Sequence, residues 1–345
     1  MIRLGIVGCG AVAEICHLPA GQLGREFRIS ALADTNISRA TTLGEQYSVD
    51  YCTDDYHQIM KKIDGAIIAL PHYLHAQVAL EFLNQGVPVL VEKPLALTLA
   101  EAEKLVETAG SAATLLQAGY MYRFCRGARL VRQAIDEGWL GALRSFSLES
   151  GYLYNWPAAS GFNFSTQQAG GGVLIDTGSH MLDLLLWWLG DVEDVEYRDD
   201  FEGGIESDCR LSLTHTSVAG TVQGEVTLSR LRQLSDTARI VGDRFTIEYD
   251  LSSADKVRIW PTCRAGEDLS FVAEYGAGVK QKLNHVYAEQ LDAFAHAIAS
   301  GTRPLVSGES VLPAVALIER CYKIRKPLEL PWTPRVSPPP RALEI

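Results

Sequence analysis

The chain has 345 residues, 47% of them hydrophobic and 21% charged, the balance of a globular protein long enough for two domains. Its formal net charge of −11 disfavours nucleic acid and anionic membrane surfaces as partners, because both select for basic faces. Met181 to Leu189, the most apolar later stretch, is too short for a bilayer and carries Asp183.

The chain opens on a short apolar run, Ile2 to Val7, of buried-strand length. It runs straight into Gly8-Cys9-Gly10-Ala11-Val12-Ala13, a G-x-G-x-x-A turn. Gly8 permits the tight turn, Gly10 lets a pyrophosphate approach the backbone, and Ala13 lets the next helix sit close to the strand. Ala11 and Val12 open that helix, whose N–H groups and positive dipole end suit phosphate. Glycines and Glu14 break this N-terminus, so it lacks the form of a signal peptide. A second apolar run, Phe27 to Ala33, ends in Asp34, 24 residues after Gly10. About 20 is the spacing of the carboxylate that binds the adenosine ribose of a dinucleotide. Strand, glycine turn, helix, strand and terminal acid together point to dinucleotide binding rather than a structural turn. Asp34 favours NAD, since a carboxylate repels a 2′-phosphate, and Arg39 leaves NADP open as a partner for that phosphate.

The alternation continues. Helical patterns at Ser38 to Tyr47, Asp55 to Lys61, His75 to Gln85 and Thr98 to Ala109 separate strand-like runs. Those runs are Tyr51 to Thr53, Gly65 to Leu70, Val87 to Val91 and Thr114 to Gly119. Gly86 reads as a helix C′ residue and Thr98 to Glu101 as a capping box. The pattern predicts a doubly wound parallel sheet over residues 1–122. The rhythm then changes. Helices are expected at Arg126 to Glu137, from about Thr177 to Leu189, at His285 to Ser300 and at Val311 to Tyr322. Leu143 to Tyr154 alternates like a strand, and Asn155 to Gly172 reads as a loop. Short alternating runs at Cys209 to Thr216, Gly220 to Leu228, Thr237 to Val241, Phe245 to Tyr249 and Lys256 to Trp260 predict an antiparallel sheet. Residues 123–333 are thus expected to form an α+β domain, followed by a proline-rich tail, 334–345. Seven scattered cysteines (9, 16, 52, 125, 209, 263 and 321), with no C-x-x-C, read as reduced thiols of a cytoplasmic protein rather than a disulfide frame or zinc site.

In a parallel sheet, ligands sit outside the carboxyl ends of the strands. Leu70, Pro71, His72 and His75 fall at one such end, Glu92 and Lys93 at another. The two histidines are cofactor contacts or simply loop and helix histidines. Lys93, fixed by the following Pro94, stands where the nicotinamide is expected, and the alternative for it is a salt bridge to Glu92 or to an Asp elsewhere. If a helix begins near Thr177, then Asp176, His180 and Asp183 share one of its faces. A carboxylate and an imidazole one turn apart can hold a substrate hydroxyl and take its proton during hydride transfer. Asp176 could instead be an N-cap and His180 an ordinary helix residue. No metal is expected, because the Asp/His pair lacks further ligands nearby.

These residues resemble the Gfo/Idh/MocA oxidoreductase family, which includes glucose–fructose oxidoreductase and inositol dehydrogenase. The carriers are the Gly8 to Ala13 turn, Pro71 with His75, Glu92-Lys93-Pro94, and Gly119-Tyr120-Met121-Tyr122-Arg123-Phe124. The string Gly171-Gly172…Asp176…Gly178…His180…Asp183 completes the set, and the resemblance runs to about Lys326. It implies a Rossmann domain followed by an α+β domain whose large, mostly antiparallel sheet serves as a homodimer or homotetramer interface. It also implies an NAD(P)-dependent hydride transfer at a secondary alcohol or ketone of a sugar, cyclitol or sugar derivative. Lys93 would orient substrate and assist proton transfer, Asp176 would complete the site, and His180 would be the acid/base. Arg123 would join Asp176 and His180 in binding substrate; the loop Tyr152 to Pro157 matches no family-wide pattern, and its Tyr152 and Trp156 are expected to bind substrate and shape its choice. One departure is His72, where the family often carries Asn. Two rival functions follow from the same fold: a glycosidase using held NAD for transient oxidation, and a non-catalytic dinucleotide-binding protein.

Overall fold

The computed structural model describes residues 1–157, 160–201, 203–217, 220–262, 273–275 and 281–329. Cys263 and the proline-rich 334–345 lie outside the described residues.

Six short strands form the first sheet: β1 (Ile2–Val7), β2 (Phe27–Ala33), β3 (Tyr51–Thr53), β4 (Gly65–Ile68), β5 (Val89–Glu92) and β6 (Leu116–Gly119). Their order is β3-β2-β1-β4-β5-β6 and every pairing is parallel. Apolar residues dominate because both faces of the sheet are covered; β4 and β5 are buried at every position. The crossovers are a π-helical turn, Ala13–His17, running into α1 (Leu18–Gly21), then α2 (Ile37–Tyr47), α3 (His72–Asn84) and α4 (Leu99–Ser111). The Thr98–Glu101 capping box opens α4, and Gly86 follows α3 with φ +73°. The strand order reverses between β1 and β4, which makes the carboxyl ends of β1, β4 and β5 the natural crevice.

The second half contains α5 (Arg126–Asp136), β7 (Leu143–Gly151), α6 (Thr166–Ala169), α7 (Val173–Leu189), β8 (Asp191–Asp199), β9 (Asp208–Ser217) and β10 (Gly220–Ser229). It continues with β11 (Thr237–Gly242), β12 (Phe245–Asp250), β13 (Val257–Pro261), β14 (Ala273–Tyr275), α8 (Leu283–Ser300), α9 (Leu312–Lys323) and β15 (Lys326–Pro327). Among the described residues, its nine strands run β14-β13-β12-β11-β7-β10-β9-β8-β15. Pairing is antiparallel except at β7/β10 and β8/β15. Helices α5, α7 and α9 cover the sheet. Helix α8 returns to the first sheet, where Phe294 and Ile298 stand against Gly65 closely enough to leave no room for a Cβ. No helix among the described residues is long and apolar enough to cross a membrane.

Several elements differ from the sequence expectation, among them the helix expected at Asp55 to Lys61, which is only a 3₁₀ turn, Tyr56–Gln58. Helix α3 starts at His72 rather than His75, with Pro71 as its N-cap residue at ψ 142°. Helix α7 starts at Val173 rather than Thr177, because Glu206, remote in sequence, caps it. One carboxylate oxygen of Glu206 accepts from the N–H of Gly172 (2.9 Å) and of Leu174 (3.1 Å). The loop 155–172 is not featureless: it holds a 3₁₀ turn, Phe162–Phe164, and α6.

Candidate functional site

The two halves face each other across a cleft of about 1660 Å³ at the carboxyl ends of β1, β4 and β5. The glycine turn forms one end. Gly8 has φ +96°, and a Cβ there would lie 2.4 Å from the Ala69 carbonyl oxygen, so the position requires glycine. Gly10 is the opposite case: a Cβ would meet no atom of the described residues within 4 Å, because that side of the turn faces the cleft. Ala11 and Val12 follow on the cleft wall. Asp34, after β2, accepts from the N–H of Cys9 (2.7 Å) and of Asn36 (2.8 Å), which holds its carboxylate at the rim. Arg39 lies beside it, donating to the Cys9 carbonyl and to Glu14 at 2.6 Å. Burial pushes the Cys9 thiol up to about 12, so it is no nucleophile there.

Leu70 and Pro71 line the middle of the cleft. His72 donates from Nδ1 to the Ala169 carbonyl (2.9 Å), and its ring meets Phe162 edge-on. Burial lowers it to about 3. Fully buried His75 spans two loops, with Nδ1 2.7 Å from the Pro94 carbonyl and Nε2 2.7 Å from that of Leu70. Burial holds its pKa below the ordinary value, against the pull of those two carbonyls. Glu92 is buried, with Oε1 2.8 Å from His17 Nε2 and Oε2 accepting from the Lys93 N–H. Burial alone would raise its carboxyl; His17 reverses that and lowers it.

Lys93 leaves β5 and meets α7. Its Nζ donates to Asp176 Oδ1 at 2.5 Å and to the Asp176 carbonyl at 3.1 Å. The Lys93 partner is therefore Asp176 across the cleft, and not the Glu92 side chain. Asp176 Oδ2 accepts from Arg230 at 2.6 Å. Burial would raise the Asp176 carboxyl, but Lys93 and Arg230 hold it far below the usual carboxylate range. With α7 beginning at Val173, Asp176 stands inside the helix's first turns and is not its N-cap. One turn on, His180 faces the same cleft, edge-on to Tyr122 (ring centroids 5.2 Å apart) and Tyr120 (5.9 Å). Burial, then the charge of Lys93, lowers its imidazole to about 3, and its buried Nδ1 has no partner among the described residues. A neutral imidazole therefore stands beside an ammonium–carboxylate pair, an arrangement that can accept or return a proton.

Tyr152 and Trp156 reach the cleft together with Tyr154, as alternate residues of an extended segment do. The Tyr152 and Tyr154 rings lie near-parallel, 6.3 Å apart. Arg123, expected beside the substrate, lies elsewhere. It is 5% exposed, donates to Asp183 at 2.6 and 2.9 Å and to Ser310, and does not line the cleft. Asp183, one turn below His180, is its buried counter-ion and likewise no part of the cleft wall. Sequence reasoning missed Arg230 and Glu206. Arg230's only local hint is a charged residue directly after an alternating strand. Glu206 has no local signal. Among the described residues, no group of three or more His, Cys, Asp or Glu side chains is arranged to hold a metal.

A glycine turn at a sheet's switch point followed by a carboxylate after the second strand is the arrangement of a dinucleotide-binding domain. Comparison with known proteins gives the family. Residues 2–120 match the oxidoreductase family with an NAD-binding Rossmann fold, and residues 128–248 match the GFO/IDH/MocA C-terminal domain. The chain belongs to the Gfo/Idh/MocA oxidoreductase family. It is similar to the rhizopine catabolism protein MocA of Rhizobium meliloti, 29% identical over 65% of this chain and 64% of that protein. It is also similar to myo-inositol 2-dehydrogenase of Thermotoga maritima, 23% identical over 95% of this chain and 96% of that one. For the first three curated relatives the match spans only 64%, 52% and 54% of their own length. A levoglucosan dehydrogenase solved with NADH and levoglucosan has the same fold, with TM-score 0.83 at 18% identity, covering 94% of this chain and 96% of that one.

Proposed function

We propose that this protein is an NAD-dependent dehydrogenase or reductase acting on a secondary alcohol or ketone of a sugar, cyclitol or sugar derivative. The observation that carries the reading is the meeting of Lys93, from the end of β5, with Asp176 and His180 of α7 in the cleft that begins at the glycine turn. The residues present fit the dinucleotide. The open side of Gly10 leaves room for a pyrophosphate, and Gly8, Ala11 and Val12 would hold it with Gly10 at the helix start. Asp34 would take the adenosine ribose. Leu70, Pro71, His72, His75, Glu92 and Lys93 would wall the remainder. Asp34 at the rim, with Arg39 already neutralised by Glu14, supports NAD over NADP. The bound nicotinamide supplies the hydride acceptor or donor.

The chain's own groups manage the proton and the orientation. Neutral His180 takes the hydroxyl proton in oxidation and returns it in reduction. Lys93 hydrogen-bonds the same oxygen, drawn into place by Asp176. Tyr152 and Trp156 would present ring faces to the C–H face of a sugar or cyclitol ring, and the second domain shapes substrate choice. The relatives' names, myo-inositol 2-dehydrogenase and levoglucosan dehydrogenase among them, support this substrate class. Unpaired thiols at the six described cysteines support a cytoplasmic setting. The broad sheet, covered by helices on one side, supports a homodimer or homotetramer formed through its other face.

The test is an NAD⁺ and NADP⁺ reduction screen across polyols, aldoses, glycosides and nucleotide sugars, followed by NADH absorbance. Turnover of at least one polyol or sugar, faster with NAD⁺, is expected. Cofactor binding with no turnover across the panel would contradict the reading. So would glycoside cleavage with no net NADH.

A further inference from the structure

Arg230 directly follows β10, and its side chain is only 6% exposed. Three of its contacts converge on the site. The guanidinium donates to Asp176 Oδ2 at 2.6 Å and sits over the Tyr154 ring, 4.8 Å from its centroid. Its backbone carbonyl accepts the Tyr154 N–H at 2.9 Å, while the Ser229 carbonyl accepts that of Tyr152 at 3.1 Å. A single residue thus holds the α7 carboxylate with its fork, one aromatic ring with its face, and the backbone of the aromatic segment with its carbonyl.

We propose that Arg230 is a positioning residue for the reaction: it fixes the Asp176 carboxylate against Lys93 and ties that carboxylate to the aromatic wall where the substrate would lie. A carboxylate with one cationic partner can rotate about its Cβ–Cγ bond and draw that partner fully onto itself. Asp176 has two partners on opposite oxygens, so rotation is blocked. Its charge is also shared, which leaves the Lys93 ammonium able to move onto a substrate oxygen. The planar fork suits both tasks, since it can hydrogen-bond in its plane and stack through its face. A lysine at 230 could keep the charge but not the stack. The charged and titratable groups facing Asp176 are Lys93 from β5, Arg230 from β10, His72 from α3, His180 on its own helix, and Tyr152 and Tyr154 from the aromatic segment. Of these, Lys93 and Arg230 dominate, so removing Arg230 raises the Asp176 carboxyl toward its ordinary range.

The inference rests on the hydride-transfer reading of this site. Turnover by the wild-type protein tests that reading, and Arg230 variants of an active protein test this one. Arg230→Met and Arg230→Lys are compared with wild type for NADH binding by fluorescence, for kcat and KM with the polyol that wild type turns over, and for the pH profile of kcat/KM. Arg230→Met is expected to lower kcat by about 10- to 100-fold, the scale of a misplaced catalytic group, with NADH affinity unchanged. The acid limb of its pH profile should move to higher pH. Both variants should raise KM, and Arg230→Lys should restore the pH limb. An Arg230→Met protein that binds NADH and keeps wild-type kcat, KM and pH limb overturns the inference. So does one that only loses thermal stability while its folded fraction keeps that pH limb. If Arg230→Met does not fold, Arg230→Lys and Tyr154→Leu decide the matter: wild-type KM in both overturns the inference, and a raised KM in both supports it.

Discussion

Replacing Lys93 with methionine keeps the bulk of the stem and removes both Nζ hydrogen bonds, to Asp176 Oδ1 at 2.5 Å and to its carbonyl at 3.1 Å. Asp176 retains Arg230 at 2.6 Å, so no carboxylate is stranded. The cost to folding is one charge-assisted pair between side chains that are 18% and 19% exposed, about 1–3 kcal/mol. The cost to turnover is larger. A positioned proton-transfer group contributes about 10²- to 10⁴-fold, or about 3–5 kcal/mol of barrier. The glycine turn and Asp34 lie at the other end of the cleft, so NADH affinity should stay near wild type. Stopped-flow NADH absorbance at saturating substrate, with NADH binding followed by fluorescence, measures both. A Lys93→Met protein with kcat within about threefold of wild type would remove Lys93 from the chemistry, because a loss that small is no proton-transfer or orientation effect.

The two glycines of the first turn should behave differently. Gly8→Ala places a Cβ 2.4 Å from the Ala69 carbonyl oxygen at φ +96°, and it should lower the melting temperature of the cofactor-free protein. Gly10→Ala meets no atom, so it should leave that melting temperature unchanged and weaken NADH binding. Arg123→Met strips the counter-ion from buried Asp183 and should cost about 3–5 kcal/mol in urea denaturation, while the surviving folded enzyme keeps its substrate KM. Since burial lowers His180 to about 3, its imidazole is the uncharged base on both sides of pH 6.5. The kcat/KM for alcohol oxidation should therefore show no imidazole limb near that pH. A limb there that vanishes in His180→Gln would count against the assigned state.

Much of the fold is written in contiguous residues. The Gly8 to Ala13 turn, Asp34, and Glu92-Lys93 each report a local backbone requirement or a strand end, so they could be placed in order along one sheet. Strands β9 to β13 begin and end within one residue of their alternating runs, because one face is buried and the other is not. What was illegible depends on partners distant in sequence. Val173 and Ile175 look like strand residues after three glycines, and only Glu206, folded back onto the Gly172 and Leu174 N–H groups, makes them the start of α7. The parallel pairing of β7 with β10 has no local signature either. At the site, Asp176 and His180 were visible as an i, i+4 pair, but Arg230 lies 54 residues from the carboxylate it holds. Arg123 was misplaced for a related reason. An arginine beside a site motif reads as a ligand contact, until the fold brings Asp183 underneath it.

One bound dinucleotide should run from the glycine turn to a point between Lys93 and His180. A crystal structure of the protein with NADH tests it most directly. Such a structure should show a pyrophosphate over the open side of Gly10, an adenosine ribose at Asp34, and a nicotinamide ring flanked by the side chains of Lys93 and His180. A nicotinamide bound away from both side chains, with the same glycines occupied, would contradict it.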